Sequence, residues 1–192
     1  MYTIKENVQN EILIKNSRFI TVLKKVNKKE EIDALLTEVK KCYPKATHYC
    51  YAYIMDEVEK SSDDNEPSGT AGLPILNVLQ KQEMNHVIAI VIRYFGGIKL
   101  GAGGLVRAYS KSVREALQLV KKNELVKALL LELEIDYKEQ KKLEYRLRNN
   151  PILKKEFKEK IIYQFLIEEE NIQAIYPYSY QIIGHSLLEK ES

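Results

Sequence analysis

The chain has 192 residues, of which 45% are hydrophobic and 30% charged, and a formal net charge of +3. That length holds one large domain or two small ones. So mild a positive balance does not by itself demand a nucleic-acid partner, and any basic surface has to come from local clustering.

Two cysteines, Cys42 and Cys50, show no paired spacing motif, which points to a reducing compartment rather than a disulfide framework. Residues 1–10 are polar and lack the apolar core of a signal peptide. The longest apolar run, 87–92, is too short to span a bilayer. We therefore expect a soluble, cytoplasmic protein without a membrane partner.

In chain order, 11–14 and 19–26 read as two strands separated by the polar Lys15-Asn16-Ser17-Arg18. Residues 30–41 form an amphipathic helix pattern, with Ile32, Leu35, Leu36 and Val39 on one face and Pro44 beyond its end. Residues 47–55 alternate as a strand: Tyr49, Tyr51 and Tyr53 share one face, and His48, Cys50, Ala52 and Ile54 the other. The tyrosine stripe suits either base stacking or packing beneath a helix. His48 and Cys50 fit either a thiolate–imidazole pair or a core face of small residues, with no third orienting residue identifiable.

Residues 57–68 form a polar, acidic stretch expected to be a solvated loop. Its Asp63, Asp64 and Glu66 could approach a divalent ion, but the rest of a calcium-loop pattern is missing, and we assign no metal. Thr70 is placed as the N-cap of a helix running to about Gln82, with Pro74 tolerated in its first turn.

Next comes Val87-Ile88-Ala89-Ile90-Val91-Ile92, a buried strand. Five of the eight glycines then fall within 96–104: Gly96, Gly97, Gly101, Gly103 and Gly104. Val106, Tyr109, Val113 and Val120 follow at helical spacing. A glycine-led helix start leaves amide N–H groups unpaired at a partially positive helix end, which suits an anion. Arg93, Lys99 and Arg107 bracket the loop with cations. The alternative is that the glycines only allow a crowded strand-to-helix reversal.

The pattern then restarts. A strand at 125–135, a helix at 137–148, a strand at 161–167, a short helix at 171–179 interrupted near Pro177 and a strand at 182–188 are delineated within a block that we read as a whole as βαββαβ. Lys138, Lys141, Lys142 and Arg146 crowd its first helix, followed by Lys154, Lys155, Lys158 and Lys160. Interleaved glutamates suit a solvated face, but a phosphate-backbone contact is the sharper reading.

Four separated motifs agree with one family. They are Ser17-Arg18-Phe19-Ile20; His48-Tyr49-Cys50-Tyr51-Ala52; Asp63-Asp64-Asn65-Glu66-Pro67-Ser68-Gly69-Thr70-Ala71-Gly72-Leu73-Pro74; and Arg93-Tyr94-Phe95-Gly96-Gly97 through Leu100-Gly101-Ala102-Gly103-Gly104-Leu105-Val106-Arg107-Ala108-Tyr109. Together they resemble the IMPACT/YigZ family (UPF0029) in its bacterial two-domain form.

The resemblance implies an α+β protein with a domain boundary near residue 122. Residues 1–122 would adopt the α/β fold shared by a ribosomal-protein domain, GHMP kinases and domain IV of elongation factor G. Residues 123–192 would be ferredoxin-like, similar to domain V of that factor. It further implies a translation-associated regulator, since the eukaryotic members regulate translation, with RNA, the ribosome or a ribosome-associated protein as partner. It supplies no catalytic residue and no cofactor. The family-motif residues carried over are Ser17, Arg18, His48, Asp63, Asp64, Glu66, Gly69 and Thr70, beside the anion-binding set of the glycine loop. In that set, Asp63 and Glu66 would orient the cations when no ligand is bound.

Two other classes stay open. A phosphate enzyme on the GHMP-kinase-like fold would use Asp63 or Glu66 for magnesium and Arg93 or Arg107 for charge, although the loop lacks the Pro and Ser pattern of those kinases. A pure protein-interaction module would need no anion site.

Overall fold

The computed structural model describes residues 1–190 and divides into two compact units, Met1–Glu124 and a second beginning at Leu125. In the first unit the chain forms β1 (Tyr2–Ile4), β2 (Val8–Ile14), β3 (Ser17–Lys25), α1 (Lys29–Cys42), β4 (His48–Met55), β5 (Val58–Ser62), α2 (Gly72–Lys81), β6 (Val87–Tyr94) and α3 (Ala102–Gln118). Five strands make one sheet in the order β2-β3-β6-β4-β5, each antiparallel to its neighbours. The apolar run of β6 lies in the middle because it is the strand with no polar face to give to water.

The two faces of β6 differ in size. Val87, Ala89 and Val91 point toward α2 and α3, where they pack with Cys50, Ala52, Phe19, Ile75, Leu79, Tyr109 and Val113. Ile88, Ile90 and Ile92 point the other way, under Ile32 and Val39 of α1. Ala52 and Ala89 are register partners, so two methyl groups meet where two helices must pack over the sheet. Thr21 and Ser112 tie α3 to the sheet through a buried hydroxyl pair at 2.5 Å.

The tyrosine stripe belongs to the α1 face. Tyr53 is buried, Tyr49 and Tyr51 are half-buried against the same cluster, and the Tyr49 hydroxyl donates to the Tyr43 carbonyl at 2.6 Å. Base stacking on this stripe is therefore set aside, because α1 covers it.

Three further expectations are corrected. Residues 58–62 are not loop: β5 pairs with β4 through a tight turn in which Asp56 takes φ +54°. Val-Glu-Lys-Ser-Ser holds a single apolar residue, so only ladder hydrogen bonds define this edge strand. β1 and residues 8–10 also join strands, although their side chains carry little periodicity. Thr70 is not the N-cap of α2, since the cap residue is Ala71 and the Thr70 hydroxyl donates to the Pro67 carbonyl at 2.6 Å.

The second unit contains most of β7 (Lys122–Ile135), a 3-10 turn over Tyr137–Glu139, α4 (Gln140–Arg146), β8 (Ile152–Phe157), β9 (Ile161–Glu168), a 3-10 stretch over Glu169–Ile175 and β10 (Gln181–Lys190). The strands lie in the order β10-β7-β9-β8. Leu129, Leu131, Leu133, Ile135, Ile161, Tyr163, Phe165 and Ile167 bury one face of the sheet against Leu143, Leu147 and Ile175.

The short helix expected at 171–179 is a 3-10 stretch that stops at Ile175. Tyr176 is extended at ψ 136°, as a residue before proline prefers. β8, unannounced by its sequence, is an edge strand carrying Lys154, Lys155 and Glu156.

The small face of the sheet yields a packing test. Ala89→Leu would push three more carbons into the α2–α3 layer and should lower stability by about 1–3 kcal/mol in denaturant unfolding. A neutral result would show that this layer has slack.

Candidate functional site

The glycine loop leaves β6 at Tyr94 and enters α3 at Ala102. Gly96 is held there by crowding: a Cβ on it would fall 2.1 Å from the Asn16 carbonyl carbon and oxygen. Its N–H donates to the Ser17 hydroxyl at 3.2 Å, so the turn between β2 and β3 and the root of the loop are one packed unit. Gly101 takes φ +71° at the N-terminal cap of α3, a left-handed conformation that favours glycine, and it supplies no capping side chain. Gly97, Lys99, Gly103 and Arg107 are exposed, and Gly104 is half-buried.

The N-terminus of α2 is occupied from within. The Asp63 carboxylate accepts the N–H groups of Gly69, Ala71 and Gly72 at 2.8, 2.9 and 2.8 Å. Burial pulls its pKa upward, but these three donors outweigh burial and hold the group below its ordinary value. Asp64 accepts the Tyr49 N–H at 2.6 Å. The motif loop of 63–72 is thus wound around its own carboxylates.

Glu66 and Arg93 form the centre of the buried part of the site. Both are less than a tenth exposed, and they pair at 2.5 Å. The Tyr109 hydroxyl donates to the same Glu66 oxygen at 2.7 Å, and His48 lies 3.7 Å from the other. Arg93 also reaches the Ser17 hydroxyl at 3.5 Å, and its guanidinium sits 5.5 Å from the ring centroids of both Phe19 and Phe95. Its Nε has no hydrogen-bond partner. Arg93 therefore comes together with Ser17, His48 and Glu66, but stands beneath the glycine loop rather than on its outer surface. Arg18 points elsewhere, onto Glu11 through two 2.9 Å bonds.

His48 and Cys50 each turn to a backbone carbonyl of the motif loop. His48 Nδ1 meets the Asp64 carbonyl at 2.8 Å, and Cys50 donates to the Asp63 carbonyl at 3.0 Å. Burial pushes the Cys50 thiol up to about 12, so it stays protonated near neutrality and is a poor nucleophile. Asp63, Asp64 and Glu66 serve three separate sets of donors, and a magnesium role for Asp63 or Glu66 would cost the contacts just described. Among the described residues no group of three or more His, Cys, Asp or Glu side chains is placed to hold a metal ion.

Exposed cations gather beside the loop. Lys15, Arg107 and Lys111 line one shallow cleft of about 270 Å³ with Ile14, Leu100 and Gly104. Lys111 and Arg114 line a second of about 390 Å³ with Asn10, Gln118 and Glu115. Glu115 pairs with Lys111 at 3.6 Å. Lys15, Lys111 and Arg114 were not expected here, although 107, 111 and 114 lie at the i, i+4, i+7 spacing of one helix face. The basic helix of the second unit is more neutralised. Lys138 and Lys142 approach Asp136 and Glu139 at 3.8 and 3.9 Å, Arg146 donates to the Ala174 carbonyl at 2.8 Å, and Lys141 is exposed.

Two substitutions probe this arrangement. Glu66→Gln keeps an acceptor for Tyr109 but strands the buried Arg93 charge, and should cost about 3–5 kcal/mol in equilibrium unfolding. A loss near zero would mean that water reaches Arg93. Asp63→Asn should cost about 1–3 kcal/mol at neutral pH. Because the folded carboxyl is held low, its stabilisation is complete above the unfolded value near about 3.9 and disappears as pH falls through the folded value. The gap between wild type and variant should therefore close in acid, and a gap constant with pH would deny the charge its role.

No helix among the described residues is long and apolar enough to cross a membrane. The model of the Impact N-terminal domain matches residues 15–117, which contain the glycine loop, the motif loop and the buried ion pair. The chain is 42% identical over 178 residues to IMPACT family member YvyE of Bacillus subtilis (strain 168), covering 90% of this chain and 82% of that protein. It is 43% identical over 110 residues to IMPACT family member YigZ of Escherichia coli (strain K12), covering 55% of this chain and 54% of that protein. A crystal structure of a hypothetical protein matches with a TM-score of 0.73 and 28% identity, covering 99% of this chain and 97% of that one. With its N-terminal domain matched across more than half its length, this chain belongs to the IMPACT family.

Proposed function

We propose that the protein is a non-catalytic, cytoplasmic regulator acting in translation, and that it binds RNA phosphates at the glycine loop and along the outer face of α3. The observation that carries this reading is the contrast between two helix starts in one domain. The amides that open α2 are filled by Asp63, whereas α3 opens on an uncapped glycine beside exposed Lys99 and Arg107. Lys15, Lys111 and Arg114 extend the positive surface, and among the described residues that line the two clefts Glu115 is the one acid. A helix terminus with clustered cations suits phosphate oxygens.

Other features support the reading. The reduced state of Cys42 and Cys50 suits the cytoplasm. The α/β fold of ribosomal-protein type that we assign to the first unit, and the ferredoxin-like arrangement that we assign to the second, are also those of domains IV and V of elongation factor G. The order β10-β7-β9-β8 fits the latter, with a 3-10 stretch in place of the second helix. We take the basic face of Lys138, Lys141, Lys142 and Arg146 as a secondary contact, because acids and a carbonyl already engage most of it.

The test is fluorescence anisotropy with labelled single-stranded RNA and tRNA across a salt series. Three phosphate contacts on a single strand give a slope of about −2 in log K against log salt. Arg107→Glu with Lys111→Glu should flatten that slope and weaken binding at least tenfold, whereas Lys141→Glu with Lys142→Glu should change it less. Binding that ignores salt would count against phosphate contacts, and no binding at low salt would remove RNA as the partner.

A further inference from the structure

The glycine loop also presents an aromatic ring. Phe95 follows directly on β6 and remains 46% exposed, although it is rooted in the best-packed strand of the domain. Its backbone N–H donates to the Thr47 hydroxyl at 2.9 Å, and the Thr47 N–H donates to the Arg93 carbonyl at 2.8 Å, so the base of the side chain is pinned. Arg93 lies over the ring at 5.5 Å and over the buried Phe19 ring at the same distance. Cation–π attraction is strengthened when the cation is withdrawn from water, as Arg93 is. The unpartnered Nε of Arg93 fits a guanidinium oriented by ring faces as well as by Glu66 and Ser17. Two residues beyond Phe95, a Cβ placed on Gly97 would meet nothing within 4 Å, so the loop there is open.

We infer that Phe95 is a base-stacking platform, and that the occupant of this surface is single-stranded RNA, whose phosphates lie toward Lys99 and Arg107 while one base rests on the Phe95 ring. This rests on the phosphate-binding reading above and adds a contact to the base that phosphate binding does not need. Phosphates and bases alternate along a strand, so a protein that grips single strands pairs a cationic track with an aromatic face. Glu66 neutralises Arg93 in this arrangement. Arg93 is thus a positioning residue for the ring, and the charge that meets phosphate comes from Lys99 and Arg107. A rigid ring on a fixed root loses little conformational freedom on binding. Every base presents a π face, so the platform is indifferent to sequence.

The chain contains no tryptophan, so Phe95→Trp introduces a single indole reporter at the platform. The full-length variant is titrated at low salt with oligouridylate and with an abasic ribose-phosphate oligomer of equal length. The expected result is that oligouridylate quenches indole emission and the abasic oligomer does not. Phe95→Ala and Phe95→Leu should each weaken oligouridylate binding by roughly 5- to 150-fold while leaving abasic binding unchanged. The leucine variant keeps an apolar side chain without a π face, and circular dichroism checks that both variants fold. Equal affinity for the two oligomers, or unchanged binding in both variants, overturns the platform while leaving the phosphate reading standing. Failure of wild type to bind either oligomer overturns both.

Discussion

The buried pair of Arg93 and Glu66 is the interaction on which the rest of the domain depends. Two charges withdrawn from water are tolerated only when each finds partners of good geometry. Here the partners come from four different segments: Ser17 and Phe19 from β3, His48 from the start of β4, Tyr109 from α3 and Phe95 from the glycine loop. Each is held in place by satisfying the pair, and the pair is affordable only because all of them are present. A hydrophobic cluster of equal size would pack there but would not orient the loop, since dispersion contacts have little directional preference.

The domain treats two helix starts differently. It neutralises the start of α2 with Asp63, which stiffens the motif loop and closes that helix end to any outside ligand. It leaves the start of α3 uncapped, on a glycine at positive φ, beside exposed cations. The same backbone physics is satisfied from within in one place and left open in the other. Crowding of Gly96 against Asn16 fixes where the open loop stands, so its openness does not mean that its root is loose.

Legibility in the sequence varied by the kind of force involved. The run of β6, the helices α1 and α3 and the alternation of β4 were plain, because burial writes a period into side-chain type. The edge strands β5 and β8 were not, because their stability is in ladder hydrogen bonds and their side chains face water. The Thr70 cap failed for a related reason: a carboxylate seven residues earlier reaches the amides first, and local sequence does not record that competition. In the candidate site, the glycines and their flanking cations could be picked out by composition. The descent of Arg93 into the core could not, since an arginine after six apolar residues reads equally well as a strand end at the surface.

What the sequence by itself determined is the set of local preferences and the family. Periodicity assigned most elements, glycine clustering located the loop, and the order of four motifs led to IMPACT. What only the tertiary structure decided is which charges are paired inside the protein and which are left at its surface. Asp63, Glu66 and Arg93 are as charged in the sequence as Lys99 and Arg107. The fold joins Glu66 to Arg93 across 27 residues, winds the motif loop so that Asp63 meets the amides of Gly69, Ala71 and Gly72, and leaves Lys99 and Arg107 facing water. The physical reason is that hydrophobic period is a property of neighbours along the chain, whereas the pairing of buried charges depends on distances that exist only after the chain has folded.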